Sequence, residues 1–170
     1  MLELNRISAG YGKQTVLDGI SVDFEKGKLT SIIGVNGCGK STLLKAILGI
    51  LSLSSGEIFI DGENLLTISR NEIAKKIAYL SQGKNIPDMT VEQMVLHGRF
   101  PYLSYPRRYS SHDREVAIKA MEIVGVAEFA HKPLYSLSGG MRQNAYIAMA
   151  LAQDTDYILL DEPTTYLDIA

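Results

Sequence analysis

The stretch Gly34–Thr42, GVNGCGKST, puts three glycines, a lysine and two adjacent hydroxyls into nine residues. The residues before it, KLTSII (28–33), are β-branched and apolar and read as a strand ending at Gly34. Those after it, LLKAILG (43–49), favour helix. The glycines therefore occupy a turn from strand to helix, with Gly34, Gly39, Lys40 and Ser41 at the spacing of a phosphate-binding loop. Glycine opens backbone angles closed to other residues, so the amides of Asn36, Gly37, Cys38, Gly39 and the residues up to Thr42 can face one concavity suited to an anion. A helix opening at Lys40 adds unpaired N–H groups and the positive end of its dipole. The Lys40 ammonium would reach the outer phosphates of a nucleotide, and Ser41 would offer a hydroxyl to Mg²⁺.

Composition limits what surrounds this loop. A chain of 170 residues, 46% of them hydrophobic, is long enough for one domain with a proper core. A net charge of −2 argues against a protein whose main partner is a nucleic-acid backbone. The single cysteine, Cys38, excludes an internal disulfide and fits a reducing compartment. No leader of basic and apolar residues opens the sequence, and no apolar run approaches the ~18 residues of a spanning helix.

Two kinds of sheet are implied. MLELNRISAGYG and TVLDGISVDF alternate apolar and polar residues, and SGEIFIDGENL reads as a strand leading into a turn, all with one wet face. TSIIG and YILLDEP are instead continuous apolar runs, expected as strands buried on both faces of a parallel sheet. Between them SSHDREVAIKAMEIVGVAEF predicts an amphipathic helix, its apolar face carried by Val116, Ala120, Ile123, Val124 and Ala127. GRFPYLSYPRRYSS, rich in aromatics and prolines, predicts an irregular loop.

Two further constellations carry chemistry. In YILLDEPTTYLD (157–168) a buried strand ends in adjacent acids at the carboxyl edge of the sheet. Neighbouring strand residues face opposite ways, so Asp161 is expected to steady Mg²⁺ and Glu162 to take a proton from an attacking water. In SLSGGMRQ (136–143), Ser138, Gly139 and Gly140 open a helix whose N-terminus could hold an anion.

Their order along the chain is specific. A phosphate loop, a glutamine after an apolar strand in IAYLSQG, then Leu-Ser-Gly-Gly ahead of an apolar Asp-Glu strand resembles the nucleotide-binding subunit of ATP-binding cassette transporters, over essentially all 170 residues. The resemblance implies an α/β phosphate-loop NTPase fold: a mixed or parallel core sheet, an N-terminal antiparallel β lobe and a helical lobe. As domains it implies one unit, with residues 1–82 and 154–170 as the nucleotide-binding core and 83–153 as the helical signature lobe. It further implies that Tyr11 stacks on adenine, and that Gln82 senses Mg²⁺ and the γ-phosphate. Ser138, Gly139 and Gly140 would touch the ATP held on a second subunit, and Asp168 would belong to the loop crossing the dimer interface. Two subunits would sandwich two ATP molecules, catalysis resting on Lys40, Gln82 and Glu162 and the metal on Ser41, Gln82 and Asp161.

Three departures from the pattern stand out. Met141 replaces a usual glutamine, and Tyr166 a usual small residue. The family's switch histidine lies beyond Asp168, whereas the sequence stops at Ala170 and His97, His112 and His131 all precede the Asp-Glu strand. The expectation is a domain incomplete at its C-terminus, with impaired turnover alone.

The segment from His97 to Gly140 and the run AYIAMALAQ look like the branch that imports ferric siderophores, haem or cobalamin. That implies a peripheral protein on the cytoplasmic face of the membrane, docked to permease subunits through a coupling helix that the aromatics and prolines of 100–109 could receive. A nucleotide-binding module without turnover stays open as an alternative. The nucleic-acid-linked cassette classes fit poorly: no coiled-coil insertion separates Gln82 from the signature, and the cluster Arg99, Arg107, Arg108 stands in a chain of negative net charge.

Overall fold

A computed structural model describes residues 1–81 and 86–161; Gln82, Glu162, Tyr166 and Asp168 lie outside the described residues. The chain divides into two compact units, with the boundary between Ile77 and Ala78.

The first unit contains strands β1 (Leu2–Tyr11), β2 (Gln14–Phe24), β3 (Leu53–Ile60) and β4 (Glu63–Asn64), and helices α1 (Lys40–Ile47) and α2 (Arg70–Lys76). The strands form one antiparallel sheet in the order β2-β1-β3-β4. The alternation read from the sequence holds at the start of β1, where Leu2 and Leu4 are buried. It breaks at Arg6, whose φ of 47° marks a bulge that shifts the register against both neighbouring strands. Ile7, Ser8 and Ala9 are then buried in succession. β3 turns into β4 through Asp61 and Gly62, both at positive φ, the geometry that a tight hairpin requires. The Asp61 carboxylate also accepts from the Met1 amine (2.6 Å) and Lys26 (2.9 Å). α2 buries only Ile73, so no apolar stripe announces it; a reciprocal cap between Ser69 and Glu72 defines its start.

The second unit holds β5 (Ile77–Leu80), α3 (Val91–His97), α4 (Ser111–Ile123), α5 (Gly139–Ala152) and β6 (Tyr157–Leu160). α3, α4 and α5 pack around Val91, Val95, Met121, Val126, Leu134 and Ala148, all buried. β5 and β6 form a two-stranded sheet. Ala78 N–H donates to Thr155 Oγ1 just before β6, and Asp161 N–H donates to Leu80 O just after it, so the strands run parallel. The expected α/β organisation is thus present: an antiparallel lobe, a helical lobe and a parallel strand pair.

Three expectations are corrected. Residues 28–35 form no strand, and Leu29 and Ile33 are 97% and 93% exposed. Their backbone groups have no ladder partner among the described residues, and a strand exists only through its neighbours. β6 forms, but among the described residues β5 alone lies beside it and Ile158 and Leu160 remain about 40% exposed, so the run is not buried on both faces. In α4 the buried stripe is Asp113, Ala117, Ala120 and Met121, while Ile123 is exposed. Ala120 is buried and Val116, Val124 and Ala127 pack against the same core as expected, so Ile123 alone leaves the face, and Asp113 joins it through an ion pair of 3.0 Å with Arg99.

Candidate functional site

In the first unit the phosphate loop runs into α1 as the sequence predicts. Cys38 N–H bonds back to Val35 O (3.3 Å), closing the turn, and Gly37 and Gly39 take φ of 80° and 102°. Gly39 is also crowded: a Cβ there would lie 3.2 Å from both Val16 Cγ1 and Leu17 Cδ2. The glycine that lets the loop turn thus also lets it settle on β2. α1 begins at Lys40 with no side-chain cap, leaving its first-turn amides beside the loop. Lys40 Nζ donates to Gly34 O (2.8 Å) and Val35 O (3.0 Å) and lies 3.9 Å from Cys38 Sγ, so the ammonium is fixed across the loop's mouth. Ser41 is half-buried, Thr42 is buried, and Asn36 and the Cys38 thiol are exposed. Tyr11, at the end of β1, is half exposed, with the Lys45 ammonium of α1 at 6.0 Å from its ring centre. One unit therefore gathers Gly34, Asn36, Gly37, Cys38, Gly39, Lys40, Ser41 and Thr42 at the start of α1, and the same unit carries Tyr11 near Lys45 of that helix's last turn.

The second unit carries Asp161 at the end of β6, its backbone tied to Leu80. Its Oδ2 accepts a hydrogen bond from Tyr79 Oη at 3.2 Å, a partner that the sequence reading did not single out. Burial, with the Asp161 charge and that hydrogen bond added, pushes the Tyr79 phenol up to about 12, so it stays protonated and donates. Ala78 and Leu80 are buried on one face of β5 and Tyr79 lies on the other, but the run IAYL is apolar throughout and carries no signal of its own for the hydroxyl.

Ser138 caps α5, its Oγ accepting from Met141 N–H at 3.3 Å, and Gly139 and Gly140 form the first turn. The Met141 side chain packs against the helical core. Its departure from the usual glutamine therefore adds apolar packing as well as removing a polar group.

Arg99 is buried, with Nε on Asp113 Oδ1 (3.0 Å), Nη1 on Ala152 O (3.0 Å) and its guanidinium 4.0 Å from the Tyr102 ring centre. Arg107 lies 4.4 Å from the Phe100 ring. Of Arg99, Arg107 and Arg108, the last two face solvent and Arg99 does not. Phe100, Tyr102 and Tyr105 are exposed along this segment. Among the described residues no group of three or more His, Cys, Asp or Glu could hold a metal ion alone. No described helix is long and apolar enough to cross a membrane.

A family profile described as ABC transporter matches residues 17–165. The petrobactin import ATP-binding protein FpuD of Bacillus anthracis is 44% identical over 169 residues, 99% of this chain and 62% of FpuD. The iron(3+)-hydroxamate import ATP-binding protein FhuC of Bacillus subtilis is 43% identical, covering 99% of this chain and 63% of FhuC. The ferric enterobactin transport ATP-binding protein FepC of Escherichia coli is 42% identical, covering 97% and 61%. A solved metal-chelate type ABC transporter in an inward-facing conformation matches with a TM-score of 0.83 at 32% identity, over 99% of this chain and 62% of that one. A dimeric bacterial ABC transporter cassette matches at 0.80 and 29% identity, over 99% and 76%. The chain spans about three fifths of the length of the three import proteins.

Proposed function

The chain belongs to the ABC transporter family, and from that membership we propose that it is the ATP-binding and ATP-hydrolysing part of an importer that takes up a ferric siderophore or a similar metal chelate. The phosphate loop carries the reading. Gly37 and Gly39 at positive φ, a lysine fixed at the mouth and an uncapped helix start form a cradle suited to a phosphate chain. Tyr11, half exposed in the same unit, offers a face for the adenine. The names of the three relatives support the cargo class: petrobactin import, iron(3+)-hydroxamate import and ferric enterobactin transport.

In this reading Lys40 exchanges its loop carbonyls for phosphate oxygens, and Glu162 accepts the proton of the water that attacks the γ-phosphate. Mg²⁺ would take the Ser41 hydroxyl, the Asp161 carboxylate and Gln82, oxygen donors of the hard kind it prefers, and when bound would neutralise charge on the outer phosphates. Ser138, Gly139 and Gly140 complete the site of a second copy, which Asp168 also meets. The exposed aromatics of 100–105 receive the coupling helix of a permease, holding the protein on the cytoplasmic face of the membrane. Nucleic acid has no part in this scheme.

Nucleotide binding tests the cradle. Lys40→Ala is expected to lower ATP affinity by about 2–3 kcal/mol, as charge-assisted contacts are lost, without unfolding the chain. A folded variant with unchanged affinity removes the reading. Uptake of a radiolabelled ferric siderophore by cells with and without the gene tests the cargo, and equal uptake rejects it.

A further inference from the structure

Two adjacent residues of one strand, Leu80 and Tyr79, both bond to Asp161. Its N–H donates to Leu80 O at 3.0 Å, which fixes its Cα. In a parallel ladder that bond sets Asp161 opposite Ser81, and Tyr79 opposite Leu159, so Tyr79 and Asp161 share a face as diagonal neighbours. A tyrosine is long enough to bridge that diagonal, and Tyr79 Oη does so, lying 3.2 Å from Asp161 Oδ2. The terminal torsion of an aspartate is soft, so a backbone tie alone leaves the carboxylate plane free to swing. A half-buried ring carrying the donor holds that plane.

We propose that Tyr79 is a positioning residue for the magnesium nucleotide: its hydroxyl sets the orientation in which the Asp161 carboxylate meets the ion. This rests on the reading of Asp161 as a magnesium ligand. Partners that orient a ligating carboxylate act on metal affinity more than on the fold, and their loss typically costs about 10- to 100-fold in affinity. A purely structural hydrogen bond would change stability and leave the metal dependence alone.

Tyr79→Phe removes only the hydroxyl and keeps the ring. Binding of a fluorescent methylanthraniloyl-ATP is measured in EDTA, and again while Mg²⁺ is titrated at fixed nucleotide. Affinity in EDTA is expected to be unchanged, and the Mg²⁺ midpoint to rise about 10-fold. Asp161→Asn is expected to raise that midpoint by itself, and adding Tyr79→Phe to it is expected to move it no further. An unshifted midpoint in Tyr79→Phe, or a further shift in the double variant, overturns the proposal. A parent protein whose ATP affinity ignores Mg²⁺ overturns the magnesium reading instead, and the role of Tyr79 with it.

Discussion

Replacing Arg99 with methionine isolates what the buried guanidinium does, because the stem length is kept and the charge removed. Three interactions disappear: the 3.0 Å bond to Asp113, the 3.0 Å bond to the Ala152 carbonyl at the end of α5, and the stacking on Tyr102. Both hydrogen bonds have the guanidinium as donor, and a hydrogen bond to a charged group contributes about 1.5–3 kcal/mol, a cation over an aromatic ring about 0.5–1. Breaking a buried ion pair from one side costs about 3–5 kcal/mol, since the remaining charge is stranded. Asp113 is not wholly stranded, because its Oδ2 keeps Ser110 N–H (2.9 Å) and Ser110 Oγ (2.7 Å). The expected loss is therefore at the low end, about 3 kcal/mol at pH 7. Converting Asp113 to asparagine in the same chain should return part of it. The chain has no tryptophan, so urea unfolding is followed by far-UV circular dichroism, to which α3, α4 and α5 contribute strongly. The pH dependence gives an independent check. Burial raises the Asp113 carboxyl, but the hydrogen bonds from Ser110 and Arg99 and the Arg99 charge outweigh it and hold the group below its ordinary 3.8. A depressed folded-state value stabilises above the unfolded value and is lost as pH falls through the folded one. The gap between parent and Arg99→Met should therefore narrow below about pH 4. A variant within about 0.5 kcal/mol of the parent, roughly the scatter of surface substitutions, or a gap as wide at pH 3 as at pH 7, refutes the ion-pair account.

Three further outcomes are expected. Ser138→Ala should destabilise the helical unit by about 0.5–1 kcal/mol in the same unfolding measurement, the low end for a cap whose bond is 3.3 Å long. Maleimide should modify the exposed Cys38 and block nucleotide binding, with MgATP protecting it; labelling indifferent to MgATP would separate the thiol from the phosphate cradle. Glu162→Gln should keep ATP affinity while cutting steady-state phosphate release by roughly 10²-fold or more, and parental turnover would assign the base elsewhere.

The phosphate cradle was legible because its logic is local. The glycines of 34–39 and the helix after them state their backbone geometry in the residue types themselves, as Ser138 states its cap. Most of the apolar face of α4 was legible, but the burial of Asp113 on it was not, because its partner is Arg99, fourteen residues earlier. Periodicity ranks an aspartate as polar and cannot see the partner that makes it buried. The apolar runs 29–33 and 157–160 gave the chemistry of strands but not their neighbours, and burial on two faces depends on neighbours. Tyr79 escaped notice for a related cause: in IAYLS it reads as one more apolar strand residue, and only the register against β6 gives its hydroxyl a destination.

The Arg99 anchorage has a consequence for proteolysis. From Leu103 to Arg108 the chain runs irregularly, and Tyr105 through Arg108 are exposed, which makes the bonds after Arg107 and Arg108 open to trypsin. Arg99 itself is buried and shielded. A cut at 107 or 108 falls between Arg99 on one fragment and Asp113 and Ala152 on the other, and those contacts span the nick. The nicked lobe should therefore travel as one particle through a sizing column in native buffer and separate into two pieces only in denaturant.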